Sequence, residues 1–273
     1  MLSVILPARN EPYLQKTINS LLENATGEIE VIAVLDGYWP DPPIDDDKRV
    51  VLIHRSEARG MRAGINSAVA IARGEFLMKA DAHCLFGPGF DEILSGDCKE
   101  NQVMVPRRYA LDVEKWQIEE RKDNKYPIDY MYLDNTLHGV VWTEKNHDPA
   151  LKDKLIDDVM SNQGSVWFMP KTLFHKLDLM DEEHWGTFWN EFQEVGIKAW
   201  LGGYEVKVNK KTWYAHWHKT EGRGYSLPSE QQKIGQAWTN KWMEFGKAWD
   251  KQIHPIEWLV KKFAPVPTWP EVK

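Results

Sequence analysis

Cysteine is scarce in this chain: Cys84 and Cys98 are its only two, too few for a disulfide framework or a zinc cluster. Buried free thiols are expected at both. No apolar run is long enough to span a bilayer. The opening Met1-Leu2-Ser3-Val4-Ile5-Leu6-Pro7 lacks a basic leader and a cleavage site, so it reads as a first strand of a soluble, cytoplasmic protein. Nor does a Gly-rich basic signature follow that strand. Pro7-Ala8-Arg9-Asn10-Glu11 makes a poor phosphate loop, which counts against a nucleotidyltransferase. Internal repeats and low-complexity tracts are lacking too.

What is present supports a substantial core: 273 residues with 42% hydrophobic content. The net charge of -7 is uneven, because residues 198–273 carry 13 Lys and Arg against 7 Asp and Glu. The body is therefore strongly acidic. Eight of the 14 Trp also lie from Trp200 onward. A basic, aromatic C-terminal part suits a polyanion or a sugar acceptor. Solvated helix faces with Trp used for packing explain the same composition.

Residues 3–6 form an apolar strand, and Leu14, Ile18, Leu21 and Leu22 recur at helical spacing after Pro12. Ile29 to Leu35 is a near-continuous apolar run of the buried, parallel kind. A Pro- and Asp-rich loop over 40–49 precedes a strand from Val50 to Ile53. Met61, Ile65, Ala68, Val69 and Ala72 mark a second amphipathic helix closed by Gly74, and residues 75–79 form the next strand. This order argues for a parallel sheet with helices on its faces. Further strands are expected at Gln102–Val105, Gly164–Met169, Tyr204–Val208 and Thr212–Trp217. Helices are expected at Lys171–Leu177, Trp189–Trp200, 229–249 and 255–263. Residues 107–160 are polar with weak periodicity and receive no assignment.

Four strand ends carry polar groups: Arg9-Asn10-Glu11, Asp36-Gly37, His54-Arg55 and Asp81-Ala82-His83. Parallel strands bring all four to one sheet edge, where ligands bind in open α/β folds. Asp36 can accept from a ribose hydroxyl or a base N–H. Asp81 and His83, two apart past a strand end, can share a face and hold a divalent metal such as Mn2+. A turn whose Asp caps the next helix is the competing reading.

The opening segment, the Val-Leu-Asp36-Gly37 end, the Ala72-Arg73-Gly74-Glu75-Phe76 lead-in and the Asp-x-His motif resemble the GT-A nucleotide-sugar glycosyltransferases of the family 2 type. Asp81-Ala82-His83-Cys84 is similar to the metal motif of the polypeptide N-acetylgalactosaminyltransferases. The likeness returns at Trp185-Gly186, Glu191-Phe192-Gln193-Glu194, Trp200-Leu201-Gly202-Gly203 and His216. It covers roughly the first 95 residues and then 160–220. The resemblance implies a Rossmann-like, mostly parallel sheet with flanking helices. One α/β domain with a C-terminal extension is the simplest division of the chain: a catalytic domain, 1–228, and a helical, Trp-rich extension packed on it, 229–273.

The resemblance also implies residue roles. Pro7, Ala8, Arg9, Glu11, Asp36 and Arg62 would line the nucleotide. Asp81, His83 and His216 would hold Mn2+ or Mg2+, with His218 as a rival third ligand. Trp185, Glu191 and Glu194 would lie by the donor sugar, Glu191 and Glu194 sharing one helix face and either being the catalytic base if the reaction inverts, as family 2 enzymes usually do. A solvated acidic pair at a helix start is their bland alternative. The spacing from Trp185 to Glu191 is longer than in the family and Thr187 replaces a Gly, so the donor sugar does not carry over. Lys219 and Arg223, in a Gly-flanked basic loop, would neutralise the leaving diphosphate; an ordinary surface turn is the alternative.

The expected activity is metal-dependent transfer of a hexosyl or N-acetylhexosaminyl group from a UDP-sugar to a hydroxyl, with retention. The acceptor is a protein, a glycan or a hydroxymethylated pyrimidine in DNA, the last implying a viral protein in a host cytoplasm. Arg107-Arg108 and Lys210-Lys211 are phosphate contacts on that last reading. A non-catalytic sugar-nucleotide-binding module is the alternative of another class.

Overall fold

The computed structural model describes residues 1–120, 126–219, 222, 224–243 and 248–270. The first half alternates strands and helices: β1 (Leu2–Ala8), α1 (Leu14–Asn24), β2 (Ile29–Asp36), β3 (Val50–Arg55), α2 (Met61–Ile71), β4 (Phe76–Ala80), β5 (Cys84–Phe86) and α3 (Phe90–Asp97). A long strand β6 (Gln102–Asp112) leads into short pieces: β7 (Gln117–Ile118), β8 (Met131–Leu133), β9 (Gly139–Val141), α4 (Thr143–Asn146) and β10 (Ile156–Asp158). The chain ends with β11 (Val166–Pro170), α5 (Lys171–Lys176), α6 (Glu191–Leu201), β12 (Glu205–His216), α7 (Ser229–Lys241) and α8 (Ile256–Phe263).

One sheet carries the order β10-β12-β6-β11-β4-β1-β2-β3, with β5 added to β12 and β7 to β6. The β4-β1-β2-β3 half is parallel, as the hydrophobic runs predict, and so is the β6–β12 pair. Between them β11 runs antiparallel to both β4 and β6. Two strands expected at 204–208 and 212–217 are one strand, β12, with a register irregularity between Asn209 and Trp213. The helix expected over 229–249 ends at Lys241, and residues 244–247 lie outside the described residues.

Alternation along the strands divides the core. Leu2, Val4 and Leu6 join Leu14, Ile18 and Leu21 of α1 on one face. Ile5, Ile32 and Val34 join Ile65, Ala68 and Val69 of α2, together with residues of α6 and α8, on the other. Trp200 of α6 packs its ring 5.4 Å from that of Phe263 and donates its Nε1–H to the Val159 carbonyl at 3.0 Å. The Trp-rich end of the chain is therefore packing material in part. No helix among the described residues is long and apolar enough to cross a membrane.

Asp158 ties α8 to the sheet, accepting from Lys207 at 2.5 Å and Lys262 at 2.8 Å. Burial opposes ionisation of Asp158, but the two lysines outweigh it and hold the carboxyl below its ordinary range. Its contribution is therefore present above about pH 4 and is lost as the pH falls through the lowered value. Asp158→Asn should cost about 0.5–1 kcal/mol at neutral pH. Urea unfolding should show that difference closing as the pH approaches the folded-state value.

Candidate active site

The parallel register aligns the ends of β1, β2 and β4, pairing Ala8 with Leu35 and Ile5 with both Ile32 and Lys79. A cleft of about 240 Å³ opens there, with Pro7, Ala8, Arg9, Glu11, Asp36, Asp81, His83, His216, His218 and Lys219 on its walls. Most residues expected at the site thus meet in one place.

Asp36 ends β2 nearly buried. Its carboxylate accepts from the backbone N–H of Arg59 at 2.9 Å and of Gly60 at 2.8 Å, and from Arg55 at 3.3 Å. These bonds hold the turn into α2 against the cleft. Gly60 is required in that turn: its φ is +94°, and a Cβ would lie 2.8 Å from the Thr187 carbonyl oxygen.

Asp81 follows β4. Its Oδ1 accepts from Lys79 Nζ at 2.6 Å, while Oδ2 lies 3.1 Å from His216 Nε2 and 3.8 Å from His83 Nε2. His216 reaches this point because β12 pairs antiparallel with β5, setting His216 opposite Cys84. The three ligand atoms lie within 4.8 Å of one another. One carboxylate oxygen and two imidazole nitrogens facing one point are a donor set that fits a divalent ion such as Mn2+. Burial pushes the His216 pKa down to about 3, so the ring is neutral, as a ligand must be. His218 packs edge-on against the His216 ring at 4.7 Å and lies outside the three-residue cluster.

Glu11 orients this group. Its Oε2 lies 3.0 Å from His83 Nδ1, and its Oε1 accepts from Lys219 Nζ. A proton on Nδ1 leaves Nε2 free to face Asp81.

Lys79 is a site residue for which the sequence suggested no role. Fully buried, it donates to Asp81 at 2.6 Å, to Glu191 Oε2 at 2.9 Å and to the Gly164 carbonyl at 2.6 Å. Burial alone would lower its pKa, but Asp81 and Glu191 hold it above the ordinary lysine value. Burial likewise opposes ionisation of Asp81, and Lys79 with the two histidines keeps it well below the carboxylate range. A lysine inside a buried apolar strand was the available signal. Glu191 starts α6 behind Lys79, and its Oε1 accepts from Trp167 Nε1 at 2.7 Å. Burial raises its pKa.

With Glu191, three further residues given donor contacts by the resemblance lie in the layer beneath the cleft. Arg62, fully buried, binds Glu194 at 3.2 Å and the Trp189 carbonyl at 2.8 Å. Glu194 also pairs with Lys198 at 2.9 Å and accepts from the Asp181 N–H at 3.1 Å. Trp185 is buried with its ring 5.9 Å from the Arg62 guanidinium. The reason is charge: a buried arginine and a buried glutamate pair with each other before they face solvent.

The segment after β12 folds back on the end of β1. Lys219 reaches Glu11, Asn10 donates to the Gly224 carbonyl at 3.1 Å, and Arg9 lies 4.4 Å from the Tyr225 ring centre. Arg223 lies outside the described residues. Gln163, Phe188, Trp217, Tyr225 and Leu227 also line the cleft, and the sequence suggested no individual role for them.

Among known proteins, glycosyltransferase GlyG of Streptococcus pneumoniae is 23% identical over 201 residues, which is 68% of this chain and 60% of GlyG. The uncharacterized glycosyltransferase EpsJ of Bacillus subtilis is 29% identical over 113 residues, 38% of this chain and 32% of EpsJ. The chain thus matches less than two thirds of the length of either relative. Among solved structures, GalNAc-T7 with UDP, GalNAc and Mn2+ superposes with a TM-score of 0.68 at 16% identity, over 96% of this chain and 54% of that one. TarS 1-349 of S. aureus superposes with a TM-score of 0.50 at 15% identity, over 79% and 59%. These identities speak for the fold alone. The sequence model that describes glycosyl transferase family 2 matches residues 3–177, so from β1 through α5 the strands that build this cleft are that family's, and the chain belongs to it, with a GT-A fold.

Proposed function

We propose that the protein is a metal-dependent glycosyltransferase that moves a sugar from a UDP-sugar to an acceptor hydroxyl with retention at the anomeric carbon. The observation that carries this reading is the convergence of Asp81, His83 and His216 on one point of the cleft, beside Asp36. GalNAc-T7, which shares the fold, is solved with UDP, GalNAc and Mn2+. Asp81 Oδ2 and the Nε2 atoms of His83 and His216 would hold Mn2+ or Mg2+. When bound, the ion offsets the charge of the departing diphosphate. Asp36 accepts from the nucleoside, and Lys219, at the cleft wall, adds positive charge beside the leaving group. Residues 1–228 form the catalytic unit on this reading, and 229–273 a helical extension packed on it.

Retention is supported by the carboxylates. An inverting enzyme needs a base to take the acceptor proton. Glu191 has one oxygen on Trp167 and the other on Lys79. On the cleft wall, Glu11 is engaged by His83 and Lys219, Asp36 by Arg55 and two backbone N–H groups, and Asp81 by Lys79 and His216. Among the described residues, each of these carboxylates is already held by a cation, an imidazole or backbone N–H groups, which favour its ionised form and oppose its taking up the acceptor proton. With retention, the acceptor oxygen bonds to the anomeric carbon on the face the diphosphate leaves, and its proton passes to the leaving phosphate oxygen.

A panel of UDP-sugars tests the proposal, read by thermal stabilisation and by donor hydrolysis with and without chelator. One donor should stabilise the protein by about 2.7 kcal/mol at a hundredfold excess over its Kd. Its hydrolysis should stop in chelator. Hydrolysis that survives chelator, or a panel that binds nowhere, overturns the proposal; a product of inverted anomeric configuration by NMR removes retention alone. Glu11→Gln should weaken Mn2+ binding by about 10- to 100-fold, because His83 loses the carboxylate that fixes its tautomer. Titration of the free ion by electron paramagnetic resonance measures this directly.

A further inference from the structure

Arg108 carries a buried charge that nothing else in the site accounts for. It lies on β6 opposite Tyr214 of β12, two positions before the pair formed by Ala110 and His216. Paired positions two apart share a sheet face, so Arg108 is on the face that carries His216. It is 3% exposed. The other buried or half-buried arginines nearby have carboxylate partners: Arg107 binds Asp129 at 2.6 Å and Arg62 binds Glu194 at 3.2 Å. Arg108 forms no ion pair among the described residues. One terminal nitrogen donates to Gln163 Oε1, the other lies 3.6 Å from Met131 Sδ, and Nε has no partner. A guanidinium removed from water without a counter-charge is costly, and proteins pair such groups.

Gln163 connects this charge to the cleft. Arginine only donates, so Gln163 must turn its oxygen toward Arg108. Ser165 Oγ donates to the same oxygen at 3.3 Å and is itself 2.7 Å from the Tyr214 hydroxyl. The amide NH2 is then what Gln163 offers the cleft, on whose wall it stands with Asp81 and Phe188. Two N–H donors with a cation one hydrogen bond behind them that has no carboxylate partner among the described residues select an acceptor that carries negative charge.

We infer that Gln163 and Arg108 form a subsite for an oxyanion group of the substrate, a carboxylate or phosphate other than the donor diphosphate. Gln163 contacts the group and Arg108 acts through Gln163. The inference rests on the glycosyltransferase reading. It leaves two sources for the anion: a carboxylate on the transferred sugar, or a phosphate on the acceptor.

Binding measured by calorimetry in Mn2+ separates them. UDP-glucuronate is compared with UDP-glucose, and glycerol 3-phosphate is titrated into the protein saturated with UDP. If the donor carries the anion, UDP-glucuronate binds about tenfold or more tighter than UDP-glucose, as expected for a charge-assisted hydrogen bond. If the acceptor carries it, glycerol 3-phosphate binds the UDP complex. Either signal should vanish in Gln163→Leu and in Arg108→Met, and Arg108→Lys should restore part of it. Gln163→Leu alters a half-buried side chain, so it remains informative if Arg108→Met fails to fold. Equal affinity for the two donors together with no binding of glycerol 3-phosphate overturns the subsite, as does a preference that Gln163→Leu retains. Failure of UDP itself to bind in Mn2+ overturns the glycosyltransferase reading instead.

Discussion

Lys79→Met should destabilise the protein by about 3–5 kcal/mol at neutral pH. Methionine fills much of the lysine volume, so the loss is of charge rather than of packing. Lys79 is fully buried between Asp81 Oδ1 and Glu191 Oε2. Removing it leaves two carboxylates sharing one site, and at least one must take up a proton or break the packing around it. The pH dependence follows from the shifts. Lys79, raised by its partners, contributes below its unfolded value of about 10.4, and that contribution is lost as the pH rises through the folded value. Asp81, lowered, contributes above about pH 4 and loses its share as the pH falls. The deficit of Lys79→Met is therefore widest between those limits and narrows in acid, where protonation neutralises the stranded carboxylates. Lys79→Met combined with Glu191→Gln should recover part of the loss, with a coupling of about 0.5–3 kcal/mol in a double-mutant cycle. Unfolding curves for the single variant that overlay the wild type across the pH range would remove Lys79 from the centre of the site.

The same lysine shows what the sequence made legible. β1, β2 and β4 and helices α1 and α2 are readable because each buries one continuous or periodic apolar set close in sequence, and β3 because its apolar run is unbroken although its side chains are only partly buried. Asp36, Asp81 and His83 are readable as strand-end residues once the strands are parallel. His216 was separable from His218 only through the resemblance, and in three dimensions the β5–β12 pairing aims it at Asp81. Lys79 was not legible, because its partner Glu191 is 112 residues away. The Arg62–Glu194 pair, joined across 132 residues, was hidden for the same reason, and both residues were placed in the cleft instead of beneath it. The strands β7, β8 and β9 pair locally but are only two or three residues long, too short for a pattern to show, while the antiparallel insertion of β11 and the pairing of β10 with β12 depend on remote strands. Local periodicity carries little trace of such pairing.

Asp81→Asn should abolish metal-dependent donor turnover, with a fall on the order of a thousandfold or more, while the fold persists. The magnitude follows from the several kcal/mol of charge stabilisation that a metal supplies to a departing diphosphate, each 1.36 kcal/mol being about tenfold in rate. Persistence of the fold follows from Lys79, which keeps Glu191 at 2.9 Å and the Gly164 carbonyl at 2.6 Å when the Asp81 charge is gone. Asparagine keeps the shape of the side chain and can still accept from Lys79, so loss of the negative charge is the variable changed. Binding should divide the effects. Mn2+ affinity should fall sharply in Asp81→Asn and also in His216→Gln, whose Nε2 faces Asp81 Oδ2 at 3.1 Å. It should hold in His218→Ala, because His218 stands outside the cluster of three. Should His218→Ala lose the ion while His216→Gln keeps it, the third ligand is the wrong histidine. Turnover at the wild-type rate by a folded Asp81→Asn enzyme would mean that the metal-dependent reading of this cleft is wrong altogether.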